Sequence, residues 1–132
     1  MATVQKQIMY KDFDLRFVAH PVTGKLQTLK NSQSVKQAVK NLILTNFYER
    51  PYRPNFGSSV RAHLFENYTA MTEESLQYAI KVALENYEPR VELLDIRFRG
   101  DPDKNELAIS IIFRPINSTE NVELNLSLER IR

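Results

Sequence analysis

The sequence predicts an α+β fold: helices packed on one face of a small antiparallel sheet formed mainly by the C-terminal half, plus a short N-terminal hairpin. Three observations carry this. Two segments, around Val35–Ile43 and Leu76–Tyr87, space their apolar residues at helical period. Beyond Pro89 the period changes to two. Between them and the N-terminus, His20-Pro21-Val22-Thr23-Gly24-Lys25 supplies the chemistry of a tight turn.

Residues 1–11 are polar and aperiodic, the pattern of a mobile arm or a binding tail. Phe13, Leu15 and Phe17 alternate with Asp14 and Arg16, which predicts a half-buried strand, and Leu26 to Leu29 return as its partner. Ser34-Val35-Lys36-Gln37 reads as a capping box, with Ser32 as an alternative cap. The helix it opens carries Val35, Ala38, Val39, Leu42 and Ile43 on one face and ends near Thr45 or Asn46.

Glu49-Arg50-Pro51-Tyr52-Arg53-Pro54-Asn55-Phe56-Gly57 follows. Its two prolines remove backbone donors and bias Arg50 and Arg53 toward extended geometry, so a rigid aromatic loop is expected. Ser58 or Ser59 caps a short helix bearing Val60, Leu64 and Phe65. Thr72 is the expected cap of the next helix, with Glu73 and Glu74 in its positive first turn. Met71 and Leu76 stand at the positions of a hydrophobic staple. Pro89 disfavours helical geometry at Glu88 and stops this helix there.

Three strands follow. Val91 and Leu93 fall in one phase and Leu94, Ile96 and Phe98 in the other, which a bulge near Leu93-Leu94 reconciles. Gly100 to Asn105 is a loop, then Leu107, Ile109, Ile111 and Phe113 alternate with smaller or polar residues up to Pro115. Val122, Leu124, Leu126 and Leu128 alternate with Glu123, Asn125, Ser127 and Glu129, a strand with one buried and one wet face. Short connections make the three an antiparallel meander.

The 132 residues suit one domain, 1–132, with a single core. No stretch approaches the roughly 18 apolar residues of a membrane span, and Met1 to Tyr10 has no secretory apolar region. Cysteine is absent, which removes disulfides and thiolate metal sites. The net charge of +2 is unevenly spread: residues 1–65 hold ten Lys/Arg against three Asp/Glu (+7), and residues 66–132 hold eight against thirteen (−5). Such a dipole orients a protein between unlike partners, or is simply two solvated faces. The lysines are scattered singly, so nucleic acid is not an expected partner, nor is a membrane.

Chemistry is sparse. His20 and His63 have no metal-ligand spacing, and no nucleophile elbow or phosphate-cradling loop exists. No metal, cofactor or catalytic residue is expected. Glu49, Glu66 and Glu88 lie near loops and are the only candidates for a glycosidase carboxylate pair, though nothing in their spacing marks one. Glu88-Pro89-Arg90 holds a carboxylate and a guanidinium rigidly at a helix-to-strand corner. Read from residues alone, these are a stop signal with side chains solvated or paired within the fold.

Taken together, the segments resemble a known family, the small sheath-initiator subunits of contractile phage baseplate wedges, which have a counterpart in type VI secretion baseplates. The resemblance spans roughly residues 12–130. It rests on Asp12 to Phe17, His20 to Leu26, Val35 to Thr45, Glu49 to Gly57, Leu64 to Asn67 and Tyr87 to Val91, in that order and spacing. It departs from the family at Asn46-Phe47-Tyr48, where relatives often carry a Pro-Gly turn.

The resemblance implies a structural protein, not an enzyme, that is assembled in the host bacterial cytoplasm and ends in the virion tail baseplate. Its implied partners are wedge core proteins and the tail sheath protein, with tube or hub proteins as further contacts. It implies that Glu88, Pro89 and Arg90 dock to the helical core bundle of the wedge, and that Arg90→Glu leaves a folded monomer but blocks wedge assembly. It also implies that the C-terminal sheet accepts sheath strands by β-augmentation, with Phe98, Ile111 and Leu126 supporting it. The candidate template is Val122, Glu123, Leu124, Asn125, Leu126, Ser127 and Leu128. Because some relatives carry a lysozyme label, a tail-associated lysozyme-like glycoside hydrolase is the alternative. A third reading keeps the fold but sets it in a secretion or tailocin apparatus.

Overall fold

A computed structural model describes residues 8–101 and 103–129. The element order is β1 (Lys11–Phe13), β2 (Thr28–Lys30), α1 (Ser32–Leu44), α2 (Val60–His63), α3 (Ala70–Tyr87), β3 (Val91–Asp101), β4 (Glu106–Pro115) and β5 (Val122–Glu129). This is the α+β arrangement expected.

The sheet is a meander in the order β3-β4-β5, antiparallel throughout. Along β4 every second residue is buried, and Leu107, Ile109, Ile111 and Phe113 meet Leu124, Leu126 and Leu128 of β5 in one apolar layer. Onto this layer pack α1, through Val35, Val39, Leu42 and Ile43, and α3, through Leu76, Ile80, Ala83 and Leu84. The opposite face of the sheet is wet. The register shift in β3 falls between Leu93 and Asp95, so Leu94 is the inserted residue. Leu94 is accordingly exposed, and Val91, Leu93, Ile96 and Phe98 all turn to the core.

Several expectations are corrected. The strand through Phe13, Leu15 and Phe17 stops at Phe13, and all three side chains are exposed. The cause is Asp14: its carboxylate accepts the Arg16 N–H at 3.0 Å and its carbonyl accepts the Phe17 N–H, turning the chain where alternation alone continues it. The returning strand is displaced to Thr28–Lys30, with Leu26 in an isolated bridge to Ala19. Within the proposed arm, residues 1–7 lie outside those described, whereas Met9 and Tyr10 donate their N–H groups to the Asn31 side chain and Lys11 begins β1.

Helix starts also move. The flanking residue of α1 is Asn31, which makes no side-chain cap bond, and Ser34 is buried inside the first turn. Helix α3 starts a turn early: Thr69 Oγ1 accepts the Thr72 N–H, and Thr72 itself donates to the Asn67 carbonyl. Met71 is therefore exposed and forms no staple with the buried Leu76. Phe65, expected on the apolar face of α2, is exposed too. The end of α3 is as expected, at Tyr87 with Glu88 flanking and Pro89 next. The loop at 100–105 is shorter than expected, because β3 pairs as far as Asp101 with Glu106.

Candidate assembly surfaces

Pro89 ends α3 and β3 begins two residues later, so Glu88 and Arg90 lie on either side of a fixed corner. Glu88 is buried, and Arg90 grips it in a fork, Nε to Oε1 at 2.6 Å and Nη2 to Oε2 at 2.8 Å. The bond to Glu88 raises the Arg90 pKa above its ordinary value. Its carbon lies 5.2 Å from the centroid of the Tyr10 ring, and its carbonyl accepts the Ile116 N–H. Sequence reading missed Tyr10, about eighty residues from Arg90 in the chain; only the fold brings them together. The corner is thus internally paired, as the residues alone suggested, with Arg90 still half-exposed beside it.

Strand β5 is an edge of the sheet. β4 occupies one side of it, and no described strand pairs with the other. Leu124, Leu126 and Leu128 anchor it inward, Val122 is half-buried, and Glu123, Asn125, Ser127 and Glu129 are exposed. Asn125 accepts a hydrogen bond from Ser110 of β4 at 2.7 Å, and Ser127 bonds to Glu106. The strand contains no proline, glycine or lysine and no bulge. The other edge, β3, is bent by the Leu94 bulge and carries Asp95, Arg97 and Arg99. Bulges and charges are the devices that blunt an edge against pairing. Of the two edges, β5 has no bulge and fewer charges, Glu123 and Glu129.

The loop after α1 is held by hydrogen bonds and ring contacts along its length. Ser58 returns its N–H to the Thr45 carbonyl and its hydroxyl to the Ile43 carbonyl. Glu49 accepts the Asn46 N–H, Tyr48 donates its N–H to Pro54, and Arg50 stacks 4.3 Å over Phe56. Phe56 meets Tyr87 edge-on at 5.1 Å, and the Tyr87 hydroxyl donates to the Asn55 carbonyl. The loop is therefore fastened to the last turn of α3, immediately before the Glu88 corner.

The carboxylates weighed for glycosidase chemistry do not converge. Glu66 pairs with His63 at 3.2 Å and borders a cavity of about 290 Å³ lined also by Asp101 and Glu106, but by neither Glu49 nor Glu88. Glu49 is spent on its own loop and Glu88 on Arg90. Among the described residues no group of His, Asp and Glu is placed to hold a metal ion.

These features define a small α+β domain with an unbulged sheet edge at β5 and an ion-paired corner at Glu88 and Arg90. The sequence matches the family described as Baseplate wedge protein gp25 over residues 30–119, and the chain belongs to that family. It is similar to Baseplate wedge protein gp25 of Enterobacteria phage T4, with 32% identity over 91 residues and 69% of each chain covered. A putative tail lysozyme from Geobacter sulfurreducens shares the fold, with a TM-score of 0.67 and 23% identity over 74% of this chain and 89% of that one. So does a chain in the baseplate of the anti-feeding prophage, with a TM-score of 0.64 and 19% identity over 89% of this chain and 83% of that one.

Proposed function

We propose that this chain is a structural baseplate wedge subunit of a contractile tail, docking to the wedge core at the Glu88-Pro89-Arg90 corner and starting sheath polymerisation by strand addition to β5. Family membership supports the baseplate role. The observation that carries the templating role is the contrast between the two sheet edges, one bulged and carrying charges of both signs, the other unbulged with only Glu123 and Glu129 charged. An incoming sheath strand would satisfy the outward N–H and C=O groups of residues 122–128 while Leu124, Leu126 and Leu128 hold the edge in place. Wedge core proteins and the sheath protein are the partners, tube or hub proteins the further contacts, and the tail baseplate of the virion is the destination after assembly in the host cytoplasm.

The test is proline replacement at those β5 positions whose N–H points away from β4, in particles otherwise lacking the protein. Tubes and baseplates are expected to form without sheath. Sheath of normal length on such baseplates would remove β5 as the template. No enzymatic role is proposed, because the candidate carboxylates are separated and individually engaged. Purified protein is expected to show no muralytic activity. Activity abolished by Glu66→Gln or Glu88→Gln would favour the hydrolase instead.

A further inference from the structure

The N-terminal hairpin presents a second surface that neither the corner nor the sheet edge uses. In the β1–β2 register Lys11 stands opposite Lys30 and Phe13 opposite Thr28, so these four share one face. Like charges directly opposite each other weaken a strand pair, and a two-stranded ribbon is marginal to begin with. This face therefore carries a cost that the isolated chain does not relieve: among the described residues, none of Lys11, Lys25 or Lys30 forms a salt bridge. The same three lysines line an open groove of about 850 Å³ with Phe13 and Leu26, and among the described residues no carboxylate borders it. Phe13 is 59% exposed and Leu26 48%.

We propose that this groove binds an extended, acidic segment of a partner protein. Its carboxylates sit between Lys11 and Lys30 and reach Lys25, and its apolar side chains, two residues apart, cover Phe13 and Leu26. Charge complementarity selects an anion. Phe13 and Leu26 within the basic rim are covered together by two apolar side chains of an extended peptide, whereas a duplex phosphate backbone would leave both in water. An extended chain puts alternate residues on one side, so a segment alternating acidic and apolar residues meets both features at once. This surface is independent of the sheath-templating reading, and either can fail without the other.

The experiment titrates the full chain, isotopically labelled, with a short peptide alternating glutamate and leucine. The comparison ligands are a glutamate–serine peptide, a lysine–leucine peptide and a single-stranded oligonucleotide of matched length. The expected result is amide shifts confined to the groove's own segments, residues 11–13, 20–23 and 25–30, with the glutamate–leucine peptide, weaker shifts with glutamate–serine and none with lysine–leucine. Lys30→Glu converts the opposed lysines into an ion pair, so hairpin amide exchange should slow or stay unchanged while peptide affinity falls by about tenfold. Phe13→Ser should weaken the glutamate–leucine peptide and leave the glutamate–serine peptide unaffected. Shifts elsewhere, no shifts at all, or an oligonucleotide that binds as tightly as the peptide would each overturn the proposal.

Discussion

Arg90 shows how a single residue constrains what can be tested at the corner. Its fork closes on a carboxylate that is nearly excluded from water, so Arg90→Glu would set two carboxylates against each other and confound docking with misfolding. The cleaner variant is Arg90→Lys, which keeps the charge and loses the fork. We expect a folded protein by circular dichroism, a loss of about 1 kcal/mol in urea melts, and impaired wedge assembly. Wild-type assembly would show that the fork serves the fold alone. Asp14 is a second local device. The fork from Arg16 holds its carboxyl below the ordinary value of 3.8. A lowered folded-state pKa means the ion pair stabilises the turn above that ordinary value and is lost as pH falls through the lower one. Hairpin amide signals should therefore persist below pH 3.8, and Asp14→Asn should remove that acid dependence while keeping the turn at residues 14–17, because the amide oxygen still accepts the Arg16 N–H.

Among the elements, the loop at residues 46–58 and the start of α3 make the sharpest claims. Gly57 has φ +129°, and a Cβ there would lie 2.5 Å from the Thr45 carbonyl oxygen. Gly57→Ala should cost of order 1–3 kcal/mol and loosen the loop from Tyr87, read by denaturant midpoint and the aromatic signals of Phe56. Thr69→Ala removes the cap of α3 and should cost about 1 kcal/mol, whereas Thr72→Ser, which keeps the bond to Asn67, should cost less. A reversed order of effects would return the cap to Thr72. In the sheet, Phe113→Ala empties a fully buried site and should cost about 3–5 kcal/mol.

For the whole molecule, stability should grade from the sheet outward. Helices α1 and α3 and the buried layer of β4 form one apolar cluster, while the hairpin has three residues per strand and an exposed apolar surface. Native-state hydrogen exchange should give the slowest amides in β4 and the facing turns of α1 and α3, and the fastest described amides in residues 15–26. Partner binding at the hairpin would slow the latter selectively. The excess of basic residues before position 66 and of acidic residues after it then has a structural outlet: lysines line the hairpin groove, and carboxylates line the exposed side of β5.

The sequence by itself determined the elements whose signals are local and redundant. These are the period-two meander with its bulge, the apolar faces of α1 and α3, and the stop at Pro89, because each rests on many side chains voting for one period. It misplaced features set by one hydrogen bond. Thr69 and Thr72 are both competent caps, and which one serves depends on where the Asn67 carbonyl arrives. Phe13, Leu15 and Phe17 alternate like a strand, yet the Asp14 carboxylate overrules them. Only the tertiary structure decided that Tyr10 lies under Arg90, that β3 and β5 are both edges but unequally protected, and that Lys11 faces Lys30. Each of those is a pairing between distant segments, and periodicity along a chain carries no information about which distant segment comes to lie beside it.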